Sequence, residues 1–155
     1  MIFVIVVAAI FTLDFVIKKH IEEKFEDTDE KKILGNRITI QKFHNTGAIL
    51  SSFKSHGEKV VAVTSAICAV LAGAWLRELM LKGNMAHKWG LSFMLGGALS
   101  NTYDRIKRKY VVDYVSFNSK KVKKRTVIYN ISDWFIFAGG ILVVIGELLQ
   151  AIRKK

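Results

Sequence analysis

The stretch that decides the fold lies at Val60–Leu81 and reads VVAVTSAICAVLAGAWLRELML. Its two charged residues, Arg77 and Glu78, stand near its far end. A membrane hydrocarbon core about 30 Å thick is crossed by about 20 mostly apolar residues in a helix. The stretch is therefore predicted to be a transmembrane helix.

Three further stretches extend this pattern along the chain. Met1–Ile17 is apolar except for Asp14, and it lacks the basic start and the small-residue cleavage site of a signal peptide, so a retained span is expected. The stretch from Trp89 to Asn101 has a short apolar part, and Ser132–Ile152 contains Glu147 as its internal charge. The sequence thus predicts an all-α membrane protein with four transmembrane helices, forming one domain over residues 1–155.

The composition supports this class and excludes others. Of 155 residues, 51% are hydrophobic, yet 24 Lys and Arg face 13 Asp and Glu, a net charge of +11. The apolar and basic residues lie in separate blocks, which is not typical of a soluble globule or a disordered polycation. A single cysteine, Cys68, excludes a disulfide framework, and four scattered histidines indicate no metal site. Cys68 is expected to be a packing residue.

Two long polar loops, residues 18–59 and 105–131, separate the apolar stretches. Alternating residues predict short strands over 37–44, 110–117 and 126–131, which together would form a small sheet or loop cap on the membrane surface. Each long loop carries nine Lys and Arg, so the positive-inside rule alone places both in the cytoplasm. The basic turn Lys120–Arg125 favours anionic lipid headgroups over nucleic acid as a partner.

Charged residues inside predicted spans need a reason, because each costs about 2.5–3.5 kcal/mol at mid-bilayer. Asp14 precedes Lys18 by four residues, which predicts a neutralised pair that holds the first span at the interface. Glu147 lies near a span end, where a structural role is expected. A small ion or lipid transporter that uses Asp14 and Glu147 remains an alternative.

Two aspartates stand where polar loops meet the membrane. Asp113 and Asp133 both have apolar or aromatic neighbours. If they lie together, burial and like charge would raise the pKa of one, and a shared proton suits acid–base activation of water. Alternatively, Asp113, like the neighbouring Asp104–Arg105, only satisfies interfacial backbone groups and basic neighbours. A serine–lysine hydrolase with Ser100 or Ser132 is also open by composition, although no lysine is expected within a span to serve as its base.

Five motifs in order resemble those of the lipoprotein signal peptidases, or signal peptidase II, a family of bacterial membrane aspartic peptidases. They are Asp14-Phe-Val-Ile-Lys18, Asn45-Thr-Gly47-Ala48, Gly96-Gly-Ala-Leu-Ser-Asn101-Thr-Tyr-Asp104-Arg105, Val111-Val-Asp113-Tyr114 and Asn130-Ile-Ser-Asp133.

The resemblance implies an activity and roles for these residues. The family removes the signal peptide from prolipoproteins by cutting before a diacylglyceryl-modified cysteine, without a metal or other cofactor. Asp113 and Asp133 would be the catalytic pair. Supporting roles follow for the rest: Asn45, Asn101, Arg105 and Asn130 would orient the pair and the substrate, Gly47 would complete the first-loop motif, and Asp14, Lys18 and Asp104 would hold the site together.

The resemblance also implies a location in the bacterial cytoplasmic membrane. Both termini would be cytoplasmic, with the aspartates near the outer leaflet and the sheet outside, the reverse of the orientation that basic residues predict. Departures from the family pattern are Ser100 for glycine, Ser132 for alanine, Tyr114 for phenylalanine, and Ile49-Leu50 after the first-loop motif. They indicate a divergent member, and a relative that binds lipoproteins without cleaving them is the alternative.

Overall fold

The computed structural model describes residues 1–47, 57–82, 84–118 and 127–153. Within these ranges the chain forms four long helices and four short strands. In chain order they are α1 (Ile2–Lys24), β1 (Glu30–Ile33), β2 (Ile38–Asn45), α2 (Gly57–Met80), α3 (Met85–Arg108), β3 (Val111–Phe117), β4 (Ile128–Tyr129) and α4 (Ile131–Arg153). The fold is therefore mostly helical with a small sheet, as the sequence predicts.

Two of the described helices, α2 and α4, are long and apolar enough to cross a membrane. Their qualifying segments are Glu58–Met80 and Ile131–Ile152. The other two helices carry polar and charged side chains that are turned inward. In α1 these are Asp14 and Lys18, and both are buried.

Helix α3 is the centre of the helical part, because it packs against α1, α2 and α4. Its buried polar residues are Ser92, Ser100, Asn101, Thr102 and Asp104. Its approach to α4 is close at Gly97, where a β-carbon would lie 2.5 Å from the carbonyl oxygen of Ser132. Any larger residue at this position would push the first turn of α4 away.

Helices α1 and α3 are longer than the apolar stretches that predict them. The expected first span ends at Ile17, whereas α1 continues to Lys24, and α3 continues past Asn101 to Arg108. In α1 the extra turns are stabilised because Ile21 is buried beneath the sheet, beside Val112. The predicted loops are correspondingly shorter.

The four strands form one antiparallel sheet in the order β1-β2-β3-β4. The strands predicted over 37–44 and 110–117 are confirmed as β2 and β3, so both long loops contribute to one sheet. The strand predicted over 126–131 is shorter: only Ile128–Tyr129 is strand, because Ile131 already begins α4, and residue 126 lies outside the described residues.

Strand β1 is not predicted by the sequence pattern. A turn joins it to β2, and Leu34, Gly35 and Asn36 all have positive φ there, at 50°, 64° and 64°. Glycine and asparagine tolerate this left-handed conformation, so Gly35 and Asn36 are the residues that indicate a turn in the sequence. The charged side chains of β1 gave no alternation of polar and apolar residues.

The apolar core has two parts. One lies between the helices and contains Val7, Cys68, Trp75 and Leu95. Cys68 is thus a packing residue, as predicted. The other lies under the sheet and contains Ile21, Val112 and Tyr114. The boundary between these two parts is where the predicted polar motifs meet.

Candidate active site

Asp113 is held in the middle of β3 by two amide side chains. The residue is 2% exposed. Its Oδ2 accepts a hydrogen bond from Asn45 Nδ2 at 2.8 Å, and its Oδ1 accepts one from Asn130 Nδ2 at 2.7 Å. The pairing of β2 with β3 places Asn45 at this edge, where it is opposite Val111. Two elements distant in sequence thus fix one carboxylate.

Asp133 lies in the first turn of α4, where it completes a reciprocal helix cap. Asn130 Oδ1 accepts a hydrogen bond from the Asp133 backbone N–H at 3.0 Å, and Asp133 Oδ2 accepts one from the Asn130 backbone N–H at 3.1 Å. This is the capping-box arrangement. Its other oxygen, Oδ1, accepts a hydrogen bond from Asn101 Nδ2 at 2.9 Å. The cap therefore fixes both the helix start and the carboxyl orientation.

Asn130 joins the two aspartates. It is fully buried, and its Nδ2 donates to Asp113 Oδ1 and, at 3.1 Å, to Asn101 Oδ1. With its Oδ1 used in the helix cap, every polar atom of its side chain is satisfied. One asparagine thus links Asp113 directly, and Asp133 through the cap.

Burial and like charge act together on Asp113. Burial raises the pKa of this carboxyl from 3.8 to about 6. The hydrogen bonds from Asn45 and Asn130 oppose the rise in pKa, while the negative charge of Asp133 adds to it. Two interacting carboxyl groups release their protons in steps that belong to the pair. The pair can therefore hold a single proton up to a pH of about 6.

An apolar cavity opens beside Asp133. It has a volume of about 320 Å³ and is lined by Tyr129, Asp133, Trp134 and Phe137. Phe137 also lines a second apolar groove of about 520 Å³, which follows α4 past Gly140. One carboxylate therefore stands at the head of an apolar surface that continues along a candidate membrane span.

Asn101 is oriented by a buried lysine. Lys18 Nζ donates to Asn101 Oδ1 at 2.8 Å and forms ion pairs with Asp14 at 2.8 Å and Asp104 at 2.9 Å. Asp104 also binds Arg108 Nη1 at 2.9 Å and accepts a hydrogen bond from the backbone N–H of Val112. The Asp14–Lys18 pair was predicted, but it is buried inside the protein and is not a solvated interfacial pair.

Gly47 and Arg105 contact the aspartates indirectly. The Gly47 backbone N–H donates to Asn45 Oδ1 at 2.8 Å, and its φ of 98° favours glycine. Arg105 Nη1 is 3.4 Å from the carbonyl oxygen of Asn101, its own helix neighbour. The structure thus brings every predicted site residue to one region. Ala48, Ile49, Leu50 and the basic turn Lys120–Arg125 lie outside the described residues.

The sequence places no lysine within a predicted span, because the first span is expected to end at Ile17, but α1 continues to Lys24 and Lys18 is buried. Lys18 is 1% exposed, and its Nζ is 3.3 Å from Ser100 Oγ. Its Nζ forms ion pairs with Asp14 at 2.8 Å and Asp104 at 2.9 Å. The Ser100 hydroxyl donates its proton to Asp14 at 2.6 Å, and Ser100 is buried. This geometry does not support a serine–lysine hydrolase.

Glu147, the charged residue inside the predicted fourth span, has a partner that the sequence does not indicate. Its Oε1 lies 3.2 Å from His87 Nε2 on α3. Within the ranges that the structure describes, no three His, Cys, Asp or Glu side chains form a group that could hold a metal ion.

Comparison with known proteins identifies the family. The family described as signal peptidase (SPase) II matches residues 6–149. The chain belongs to the signal peptidase II family. The resemblance seen in the five motifs is thereby confirmed, and the chain is a peptidase of this membrane family.

Individual relatives agree with this assignment. The lipoprotein signal peptidase of Mesorhizobium japonicum is 31% identical over 152 residues, covering 98% of this chain and 88% of the relative. That of Bartonella henselae is 30% identical over 118 residues, covering 76% of this chain and 71% of the relative.

Two solved structures share the signal peptidase II fold seen here. Both are described as bacterial membrane enzymes determined by the in meso method. Their TM-scores are 0.81 and 0.78 at 23% identity, covering 99% and 94% of this chain and 91% and 92% of theirs.

Three hydroxyl groups of the signal peptidase II site have a shared contact that the sequence does not indicate. Ser100, Tyr114 and Ser132 all donate hydrogen bonds to the carboxylate of Asp14. The motifs name each position, but no local pattern indicates that the three share one acceptor.

Proposed function

We propose that this peptidase removes the signal peptide from prolipoproteins, cutting before a diacylglyceryl-modified cysteine, with Asp113 and Asp133 as its catalytic pair. The observation that carries the proposal is a buried carboxylate, Asp113, joined through Asn130 to the half-buried carboxylate of Asp133, which lies at the head of an apolar cavity. The names of the relatives, lipoprotein signal peptidases, give the substrate class.

The chemistry needs one proton on the pair. The ionised carboxylate removes a proton from water, and the water oxygen attacks the scissile carbonyl carbon. The protonated carboxyl donates to the carbonyl oxygen, which gives a neutral tetrahedral diol. When the C–N bond breaks, the protonated carboxyl gives its proton to the leaving nitrogen, while a hydroxyl of the diol gives its proton to the other carboxylate, so one proton remains on the pair. The raised pKa of Asp113 keeps that proton available.

The supporting residues have distinct parts in this proposal. Asn45 and Asn130 hold Asp113, and Asn101 holds Asp133, so that both carboxyls keep a fixed orientation. Lys18 in turn holds Asn101. Holding the reacting groups in a fixed geometry accelerates a reaction, because the step then proceeds as it would within a single molecule. The reaction as proposed uses no metal or other cofactor.

The apolar surface along α4 suits an acylated substrate. The cavity beside Asp133 adjoins the groove past Phe137 and Gly140, and both are mostly apolar. An acyl chain placed there would be removed from water or lipid contact while its cysteine lies near the aspartates. The transporter alternative gains no support, because Asp14 is 0% exposed and is bound by Lys18 and three hydroxyls.

We further propose the membrane arrangement of this domain, which spans residues 1–155. All four helices cross the bacterial cytoplasmic membrane, the sheet lies outside, and both termini are cytoplasmic. Asp133 stands in the first turn of the candidate span Ile131–Ile152, which supports a site at the membrane surface. The basic loops would contact anionic lipids.

The test is cleavage of a synthetic precursor peptide whose cysteine carries a diacylglyceryl group, with the unlipidated peptide as matched substrate. We expect a product that begins with the lipidated cysteine, identified by mass spectrometry, and much slower cleavage of the unlipidated peptide. Binding without product would indicate the non-cleaving relative. Equal cleavage of both peptides would contradict the role of the apolar cavity.

A further inference from the structure

The carboxylate of Asp14 collects three hydroxyl groups that the proposed chemistry does not use. Its Oδ2 accepts hydrogen bonds from Ser100 Oγ and Ser132 Oγ, each at 2.6 Å, and from Lys18 Nζ at 2.8 Å. Its Oδ1 accepts one from the Tyr114 hydroxyl at 3.0 Å. Asp14 and all three hydroxyl residues are buried, so no water competes for these bonds.

Each hydroxyl residue is the chain neighbour either of one of the two aspartates or of a residue that donates a hydrogen bond to one of them. Tyr114 follows Asp113, and Ser132 precedes Asp133. Ser100 likewise precedes Asn101, which donates to Asp133. Three segments from β3, α3 and α4 are therefore tied to one acceptor on α1.

These hydrogen bonds to Asp14 also constrain the carboxyl groups of Asp113 and Asp133. Successive side chains of a strand point to opposite faces, so fixing Tyr114 against α1 sets the direction of Asp113. The Tyr114 oxygen also accepts a hydrogen bond from the backbone N–H of Ile131 at 3.0 Å, which is the first residue of α4. Tyr114 thus bridges Asp14 and the helix start that carries Asp133.

We propose that Ser100, Tyr114 and Ser132 are positioning residues that set the separation and orientation of Asp113 and Asp133 through their shared acceptor, Asp14. This inference rests on the proposed function for its kinetic consequence. Bonds between a hydroxyl and a charged carboxylate are short and strong, so they can hold such a geometry. A displacement of the reacting groups by a fraction of an ångström would slow the chemical step more than it would weaken substrate binding.

The kinetic test compares Ser132→Ala and Tyr114→Phe with a matched control, Ser92→Ala. Ser92 is an equally buried hydroxyl on α3 that accepts a hydrogen bond from Trp75 and donates to the carbonyl oxygen of Lys88, remote from Asp14. We expect kcat to fall about tenfold in the two site variants with KM changed less than about twofold, and kcat to be retained in Ser92→Ala. Tm is measured for all three.

A second measurement does not depend on cleavage. Carbon-13 labelling of aspartate carboxyls allows the titration of Asp113 to be followed by NMR in micelles. The double variant Ser132→Ala, Tyr114→Phe is expected to shift this titration, whereas Ser92→Ala leaves it in place. If the wild type fails to cleave but the shift is seen, the proposed function fails and the positioning role stands.

A merely structural role gives a different pattern. All three single variants would then lower Tm by similar amounts, with wild-type kcat and an unchanged Asp113 titration in the folded protein. That result would overturn the inference while wild-type cleavage still supported the proposed function.

Discussion

Replacing Asp113 with asparagine is expected to change how the stability of the protein depends on pH. The carboxyl has a pKa of about 6 in the folded protein against 3.8 ordinarily, so the folded state binds the proton more tightly than the unfolded state. The contribution of this carboxyl to the stability of the wild type is then greatest at low pH and falls as pH rises from about 4 to about 6. The Asp113→Asn variant has no such proton to lose.

The size of the effect follows from the two pKa values. A difference of about two pKa units, at 1.36 kcal/mol per unit, destabilises the wild type by about 2–3 kcal/mol between pH 4 and pH 7.5. Asparagine also loses one of two hydrogen bonds, because its amide nitrogen must face Asn45 or Asn130, both donors. That loss is present at both pH values and therefore largely cancels in the comparison between them.

The assay is thermal unfolding in detergent micelles, followed by tryptophan fluorescence at pH 4 and pH 7.5. At each pH, the Tm of the wild type is subtracted from the Tm of Asp113→Asn. This difference is expected to be about 5–10 °C larger at pH 7.5 than at pH 4. Asp27→Asn, at a side chain that is 79% exposed, is the control and should run parallel to wild type. If the Tm of Asp113→Asn and the Tm of the wild type change in parallel with pH, the pKa of Asp113 is not raised in the folded protein.

Three further outcomes are expected. First, kcat/KM should fall as pH rises through about 6, because the shared proton is lost there, and a pH-rate profile that stays flat to pH 9 would contradict this. Second, Gly97→Ala should lower Tm, at a cost of about 1–3 kcal/mol, because its β-carbon would meet the Ser132 carbonyl oxygen at 2.5 Å. In the control Gly73→Ala the new β-carbon would meet nothing within 4 Å, so its better helix propensity should raise Tm slightly. Equal Tm changes in Gly97→Ala and Gly73→Ala would contradict the close packing of α3 against α4. Third, Gly140→Leu, whose β-carbon would also meet no atom within 4 Å, should raise KM for the lipidated peptide about tenfold by filling the groove along α4, with Gly73→Leu as control. An unchanged KM would place the acyl chains elsewhere.

The sequence predicts the elements of this fold well where a local pattern exists. Apolar runs indicate all four helices, and alternation indicates β2 and β3. The helix ends are less predictable because tertiary contacts extend them: α1 continues past Ile17 since Lys18 is paired inside the protein and Ile21 packs under the sheet. Strand β1 has no apolar face, so only its turn residues could have indicated it.

The sequence motifs name the residues of the candidate site but do not indicate how these residues are connected. The motifs name Asp113, Asn130 and Asp133, whose mutual hydrogen bonds span at most 17 residues of chain. The bonds from hydroxyl groups that converge on Asp14 span 86 to 118 residues, and no local spacing indicates them. For this reason Ser132, which resemblance marked as a departure, gained a role only when its buried acceptor was known.

The most direct test of the aspartate pair is cleavage of the diacylglyceryl-modified precursor peptide by wild type, Asp113→Asn and Asp133→Asn under the same conditions. Each variant must first show wild-type substrate binding and cooperative unfolding. We expect the wild type to cleave before the lipidated cysteine. In both variants the rate of cleavage should fall by at least about 1,000-fold, since each variant lacks one carboxyl group of the acid–base pair. Cleavage near the wild-type rate by either folded variant would contradict this expectation.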